Sequence, residues 1–285
     1  MMPSTPPVVL TIAGFDPSSG AGITADIKTI AAHGCYGVAC ITALTVQSTA
    51  GVRRVKLVDA EMIDDTLQEL AADLDVAAVH IGMLGSGKIL QVVAGFLEKQ
   101  KIQNIVLDPI LKASSGADLL DSSGARLLND RLLPLASVVT PNVDEASAMT
   151  GLPVANPEQM KAAAVRLHEM GARAVVITGG HLEKAIDLLS FTSRRGIQQE
   201  IFKSERQRSH STHGTGCAFA TAMACHLAHG RGLPEAVLLA KAFVAAAISN
   251  AHPVGKGNGP VHHLYRMHEQ RRAIGPGLAE PEGPK

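Results

Sequence analysis

Val8-Val9-Leu10-Thr11-Ile12-Ala13-Gly14-Phe15-Asp16-Pro17-Ser18-Ser19-Gly20-Ala21-Gly22 sets the architecture of this chain. Val8 to Ala13 is an apolar run that stops at Gly14, as a buried strand does. Phe15 to Gly22 is rich in turn-forming residues and reads as a loop. Ile23, Ile27, Ile30 and Ala31 then recur at helical spacing until Gly34, with Asp26 and Lys28 off the apolar stripe. Strand, glycine loop and helix are the front half of a βαβ unit. The alternation continues outward. Val38–Val46, Val76–Ile81, Asn104–Asp108, Ser137–Thr140 and Ala174–Thr178 read as further strands. Ile63 to Leu74, the residues after Lys88 to about Gln100, Val143 to Thr150 and Met160 to Leu167 read as helices. Asp187–Thr192 and Ile197–Phe202 form a predicted hairpin, and Thr215–His229 and Pro234–Ala251 are predicted helices. The fold class is therefore α/β, a mainly parallel sheet with helices on both faces. Ligands of such sheets bind outside the carboxyl ends of the strands, where the glycine-rich loops gather.

The chain has 285 residues, 46% of them apolar, enough to bury a large core. The expected organisation is a flexible start over residues 1–7, one domain over 8–270 and a disordered tail over 271–285. Lys+Arg and Asp+Glu are both 26, so no surplus of positive charge marks a nucleic-acid partner. With no Trp and two Tyr, stacking platforms for bases are scarce. Cys35, Cys40, Cys217 and Cys225 show neither CxxC spacing nor a paired framework, which fits a reduced cytoplasmic protein. Residues 1–7 lack the basic start of a signal peptide. Apolar runs such as Ala242–Ile248 are too short to span a bilayer, so a soluble protein without a membrane partner is expected.

Ser211-Thr212-His213-Gly214-Thr215-Gly216-Cys217-Ala218-Phe219-Ala220 carries the strongest chemical signal. Gly214 and Gly216 let the backbone turn tightly and approach a ligand. The first N–H groups of the following helix lack intrahelical partners, and the helix dipole adds positive charge there. The result is a socket for an anion, most naturally a phosphate. Cys217 stands in the first turn, where the dipole is expected to lower its thiol pKa.

Gly82-Met83-Leu84-Gly85-Ser86-Gly87-Lys88 spells most of a P-loop. Ile89 stands where that motif needs a hydroxyl for Mg²⁺, so the segment reads as a turn with Lys88 in solvent. The twelve histidines form no tetrahedral metal set in sequence, and His226 and His229 read as surface or capping residues. Asp108, Asn142 and Glu145 stand at strand ends, where carboxylates can hold Mg²⁺ beside nucleotide phosphates. Asn142 also reads as the cap of the helix from Val143. Gln47 offers a donor and an acceptor side by side, a match for an amine next to a ring nitrogen.

Several segments in order resemble one family. They are Ala13–Gly22 with Asp26 and Lys28, Ile41–Thr45 with Gln47, Ile81–Leu84, Leu107-Asp108-Pro109, Thr140-Pro141-Asn142 with Glu145-Ala146, Gly179-Gly180-His181, His213–Cys217, and Gly255-Lys256-Gly257-Asn258-Gly259-Pro260-Val261-His262-His263. Over residues 8–265 the chain is similar to hydroxymethylpyrimidine/phosphomethylpyrimidine kinases of thiamine biosynthesis. These are ribokinase-like proteins of the pyridoxal-kinase-like branch. The resemblance implies ATP-dependent phosphorylation of 4-amino-5-hydroxymethyl-2-methylpyrimidine with Mg²⁺, then of its monophosphate, by a homodimer. It implies that Gln47, Asp26, Gly14 and Met83 hold the pyrimidine. Gly214, Thr215, Gly216 and Cys217 would form the catalytic anion hole, with Cys217 as base or as a group that orients the substrate; the base role is favoured. Asn142, Thr178, Gly180 and Lys256 would meet ATP, and Asp108 and Glu145 would lie near Mg²⁺ and its waters.

Two departures matter. The family's lysine is replaced by Thr178 before Gly179-Gly180-His181, and a second by Ser114, with Lys112 nearby in a different register. Both losses remove positive charge near the phosphates, so a weakened second phosphorylation is expected. A pyridoxal kinase, or a pyrimidine-binding sensor without catalysis, are the alternative readings.

Overall fold

The computed structural model describes residues 5–112, 119–180, 185–204, 209 and 211–267. Ser114, His181 and the 271–285 tail lie outside the described residues, as does the beginning of the 1–7 segment.

Nine strands form one sheet: β1 (Val8–Phe15), β2 (Tyr36–Ser48), β3 (Gly51–Leu57), β4 (Val76–Ile81), β5 (Ile105–Leu107), β6 (Val138–Val139), β7 (Ala174–Gly179), β8 (Ala185–Ser193) and β9 (Gly196–Ser204). Their order is β3-β2-β1-β4-β5-β6-β7-β8-β9. The six central strands from β2 to β7 pair in parallel, and β3, β8 and β9 add antiparallel edges. The mainly parallel sheet expected from the sequence is present. Strand β3 is the element the apolar pattern does not announce. Arg53, Arg54 and Lys56 interrupt it, and the strand is largely exposed on the edge hairpin.

The helices are α1 (Gly22–Ala32), α2 (Ala60–Asp73), α3 (Gly87–Lys99), α4 (Ser122–Leu127), α5 (Val143–Thr150), α6 (Pro157–Glu169), α7 (Thr215–Ala228) and α8 (Leu233–Ser249). A π-helical turn, Leu128–Leu132, extends α4. One core lies under α2, α3, α5 and α6 on one sheet face, through Leu67, Leu90, Phe96 and Leu167. The other lies under α1, α7 and α8, through Ile30, Ala220, Met223 and Phe243. Helix α7 is apolar around its whole circumference, and Cys217 through Cys225 are all buried. Such a helix belongs inside the protein. No described helix is long and apolar enough to cross a membrane.

The chain runs from β1 to β2 on one side and returns as β4 on the other side of β1. The carboxyl ends of β1 and β4 therefore mark a topological switch point, where such sheets bind ligands.

Candidate active site

The switch point holds Gly14 and Met83. Strand β1 changes register between Ala13 and Gly14. A Cβ on Gly14 would sit 3.0 Å from Met83 Sδ, so glycine lets the thioether lie over the strand end. Thr42 donates to the Met83 carbonyl at 2.6 Å and fixes that turn.

The loop after β1 folds onto the start of α7. Asp16 organises it, accepting from Ser18 N at 2.8 Å, Ser18 Oγ at 2.7 Å and Ala21 N at 2.9 Å. His213 Nε2 reaches Asp16 Oδ2 at 3.0 Å. Burial pushes the Asp16 carboxyl up, but the hydrogen bonds from His213, Ser18 and Ala21 outweigh it and hold its pKa down at about 2. The Asp16 contribution to stability is thus present above the unfolded value of 3.8 and is lost as pH falls through about 2. Asp16→Asn is expected to cost roughly 2 kcal/mol at neutral pH and to flatten the acid limb between about pH 4 and 2. Urea melts across that range check this.

Gly214 stands at the junction. Its φ is +78°, and a Cβ there would lie 1.9 Å from the Gly20 carbonyl oxygen. Only glycine tolerates both conditions. Helix α7 begins at Thr215, so the N–H groups of Gly216 and Cys217 have no acceptor within the helix. Gly216 is exposed and Thr215 half-buried, which leaves this end open to a ligand. The anion socket read from Gly214 to Cys217 has this local geometry.

Two carboxylates stand near it, Asp108 buried and Glu145 half-buried. A Cβ on Gly216 would be 3.9 Å from Asp108 Oδ2. Burial raises the Asp108 carboxyl to about 6, with His80 pulling it down and Asp26 pushing it up. Burial and then the Asp108 charge raise Glu145 to about 8, despite the N–H groups of Asn142 and Leu111. A carboxylate whose charge raises its neighbour's pKa beside an anion socket is an oxygen-donor arrangement that could take a divalent cation.

The expectation for Cys217 is reversed. Its thiol is held well above the ordinary value, first by burial, then by the negative charges of Asp108 and Asp26. A hydrogen bond from the Gly22 backbone and the partial charge of the helix end do not offset a dry site with nearby carboxylates. Cys217 is a protonated thiol here.

Asp26, expected beside the pyrimidine, is held within the protein. It is fully buried beneath the site. Oδ1 accepts from Thr221 at 2.8 Å, while Oδ2 accepts from Thr11 at 2.7 Å and pairs with His80 Nδ1 at 3.3 Å. Both oxygens of this carboxylate are thus engaged by protein partners. Helices α1 and α7 pack side by side on the same sheet face, and Asp26, three residues after Ile23 and four before Ile30, lies on the buried side of α1. His80 is the functional neighbour that sequence reasoning overlooked. Burial lowers its pKa, yet the charge and hydrogen bond of Asp26 and the charge of Asp108 outweigh this and raise it above the ordinary value. Its one sequence signal is a histidine inside the apolar run Val76–Ile81.

The nucleotide-side residues are only partly gathered. Asn142 and Thr178 are bridged, and Thr178 N donates to Pro141 O at 2.9 Å. The Asn142 side chain caps α5, accepting from Asp144 N and Glu145 N at 2.9 Å each, and Glu145 returns the bond to Asn142 N. Gly180 is exposed just past β7. Lys241 of α8 donates to Asp187, which accepts from Gly179 N at 3.0 Å, so that cation is already paired. Lys256 is elsewhere. Its loop packs on Thr49 at the β2–β3 turn, with Gly257 N donating to Thr49 Oγ1 at 3.2 Å, away from Asn142 and Thr178. The would-be P-loop closes on the protein. Ser86 caps Ile89 N at 3.4 Å, a Cβ on Gly85 would strike Leu57 at 2.3 Å, and Lys88 is exposed.

Gln47, near the end of β2, completes the site. Its amide lies between Thr45 Oγ1 at 3.2 Å and His213 Nε2 at 3.3 Å. Gly14, Met83, Gln47 and the socket residues therefore share the edge beyond β1, β2 and β4.

The sequence profile described as phosphomethylpyrimidine kinase matches residues 16–262. The chain is 42% identical over 265 residues to the thiamine biosynthesis bifunctional protein ThiED of Geobacter sulfurreducens, covering 92% of this chain and 53% of that protein. It thus spans about half the length of that relative. It is 40% identical to the hydroxymethylpyrimidine/phosphomethylpyrimidine kinase of Haemophilus influenzae, covering 90% of this chain and 96% of the relative. The fold is similar to that of a Bacillus subtilis pyridoxal kinase solved with ADP, with a TM-score of 0.83, 33% identity, and coverage of 92% of this chain and 100% of that one. The ribokinase-like, pyridoxal-kinase-like architecture expected from the motifs is thereby established, and the chain belongs to the phosphomethylpyrimidine kinase family.

Proposed function

We propose that the protein transfers the terminal phosphoryl group of ATP to the hydroxymethyl oxygen of 4-amino-5-hydroxymethyl-2-methylpyrimidine, in thiamine biosynthesis. The observation that carries this reading is the meeting of the Gly214–Cys217 amides with Asp108 and Glu145. Phosphoryl transfer needs positioning and charge stabilisation more than covalent chemistry from the protein. The N–H groups of Gly216 and Cys217, without an acceptor in the helix, and the neighbouring carboxylates supply both.

Asp108 and Glu145 would hold Mg²⁺, together with phosphate oxygens and water. The ion, when bound, neutralises phosphate charge. Gln47 reads the aminopyrimidine edge, and Met83 packs on the ring over Gly14. Gly214, Thr215 and Gly216 cradle the transferred group. Cys217, protonated, orients the alcohol rather than removing its proton. Thr178 leaves the β7 end without a lysine, and Lys241 is engaged by Asp187. The second phosphorylation is therefore slower than the first. A cytoplasmic homodimer fits this reading, supported by the exposed apolar residues Leu44, Val46, Val55 and Leu57 on the β2–β3 edge.

Coupled ADP release with the pyrimidine alcohol, its monophosphate and pyridoxal tests the assignment. The alcohol is expected to turn over fastest. Preferential turnover of pyridoxal would replace this reading with the one that the likeness to pyridoxal kinase favours. Cys217→Ala is expected to keep turnover within about tenfold. A loss in the general-base range of about 10²–10⁴-fold would return the base role to the thiol.

A further inference from the structure

The Gln47 amide sits among partners that fix its direction. Oxygen and nitrogen ends of such an amide are told apart by what each end must bond. Asp16 is ionised and accepts from its surroundings, so the contact at 3.0 Å requires a proton on His213 Nε2. That holds for the neutral ring and for the imidazolium alike. A nitrogen that already carries a proton cannot also accept from an amide N–H. On the other side, Thr45 Oγ1 lies 3.0 Å from the Phe15 carbonyl and 3.2 Å from the Gln47 amide, and its single proton goes to the nearer carbonyl, which can only accept. It then has only lone pairs left for Gln47. With Oε1 toward Thr45 and Nε2 toward His213, acceptor meets acceptor and donor meets donor. Half a turn about the last side-chain bond gives Thr45 Oγ1 a donor and turns Oε1 toward the His213 Nε2 proton, which Asp16 and Gln47 then share.

We infer that His213 and Thr45 set the direction of Gln47, with Nε2 donating to Thr45 and Oε1 accepting from His213, and that this direction gives the site its specificity for an aminopyrimidine. Each end of the amide then keeps one position for a ligand: an N–H on the Thr45 side and a lone pair on the His213 side. His213 directly precedes Gly214. An amine bound to Oε1 therefore lies on the side of the anion socket, and the ring nitrogen next to it accepts from Nε2. In the proposed substrate the amine is the ring neighbour of the hydroxymethyl group that must reach that socket. The reverse edge, a carbonyl next to a ring N–H, meets matched charges at both ends of the amide and is refused.

The relay is built in. The His213 side chain is 14% exposed and the Asp16 side chain 4%. A Cβ on Gly20 would lie 2.3 Å from His213 Cδ2, so glycine makes room for the ring. The His213 backbone is tied on both sides, with its N donating to Gly259 O at 3.0 Å and its carbonyl accepting from Val261 N at 3.4 Å. His213 and Thr45 are positioning residues: they act through Gln47.

The inference depends on the pyrimidine-kinase reading for the identity of the ligand, and two measurements keep the two apart. The first compares kcat/KM for 4-amino-5-hydroxymethyl-2-methylpyrimidine and for its 4-oxo counterpart. His213→Phe keeps a ring against Gly20 but removes the proton, and Thr45→Val removes the acceptor. Each is expected to shrink the preference for the amino compound by about tenfold or more, through KM rather than kcat. Thr45→Ser keeps the hydroxyl and is expected to keep the preference. An unchanged ratio in both His213→Phe and Thr45→Val, or a lost preference in Thr45→Ser, overturns the inference. The second measurement needs no turnover. Ring-nitrogen NMR of the full chain, assigned by the signals that vanish in His213→Phe, is expected to find Nε2 protonated at pH 8. A neutral ring with its proton on Nδ1 overturns the inference even in an active enzyme. Absence of turnover with either pyrimidine overturns the functional reading and, with it, the specificity claim, while the NMR result still decides the amide's direction.

Discussion

Gly214→Ala is expected to lower kcat by about 10³-fold or more, because it removes aligned N–H donors rather than one contact. The added Cβ would occupy a point 1.9 Å from the Gly20 carbonyl oxygen. That oxygen belongs to backbone that Asp16 holds through the Gly20 and Ala21 amides, so it has little freedom to yield. The first turn of α7 must move instead, and the amides of Thr215, Gly216 and Cys217 move with it. The left-handed backbone alone adds a cost of roughly 1–2 kcal/mol in stability. Gly230→Ala separates the two effects. Gly230 also has positive φ, at +77°, but nothing lies within 4 Å of its Cβ position. That variant is expected to show the backbone cost in a urea melt with unchanged turnover. Equal turnover losses in both variants would mean that general strain, not the socket, limits the reaction.

Asp108→Asn has the second large expected effect, and it acts in opposite directions on activity and stability. Removing one carboxylate of a cation-holding pair is expected to lower kcat by about 10²–10⁴-fold, since charge stabilisation of this kind amounts to several kcal/mol. The folded protein, however, holds the Asp108 pKa at about 6, above its unfolded value of 3.8. A carboxyl raised in this way favours folding most below the unfolded pKa, and that advantage is lost as pH rises through about 6. At pH 7 the ionised group is a burden on the fold, shared with Glu145. The asparagine variant should therefore melt at a higher temperature than wild type in metal-free buffer at pH 7. The difference should vanish below about pH 3, under the unfolded value of 3.8, where Asp108 is protonated in both states. A lower melting temperature at pH 7 would show that Asp108 is compensated within the protein alone. Such opposition between activity and stability is common at functional sites.

Much of this site was legible from residue order. The segment from Val8 to Gly22 announced strand, loop and helix because its apolar run, turn residues and helical spacing are all local. Gly214 could be read for the same reason, since a glycine before a helix start is a local signal. Cys217 could not be read correctly. Its sequence neighbours display only the helix end, whereas Asp26, Asp108 and Glu145 reach it from α1, the end of β5 and α5. Long-range charge decided the sign. The partners of Asp26 could not be read from α1 alone, because Thr11, His80 and Thr221 come from β1, β4 and α7. His80 was hidden by its surroundings, one polar residue in an apolar strand. Strand β3 was missed because edge strands carry charge on their solvent side, which erases the alternation. The Gln47 relay joins Thr45, His213 and Asp16 across the ends of β2, the α7 entry and the β1 loop, a combination no single window contains.

Helix α7 has one further consequence. Its buried middle is part of the second core, with Ala220, Ala222, Met223 and Ala224 fully inaccessible. The socket is thus the exposed tip of an element that cannot loosen without dismantling half the molecule. Many enzymes place ligand-gripping groups on segments that fray cheaply. Here the fully buried residues of α7 and the proposed socket lie on a single rod, so heating should abolish the site and the fold in the same step.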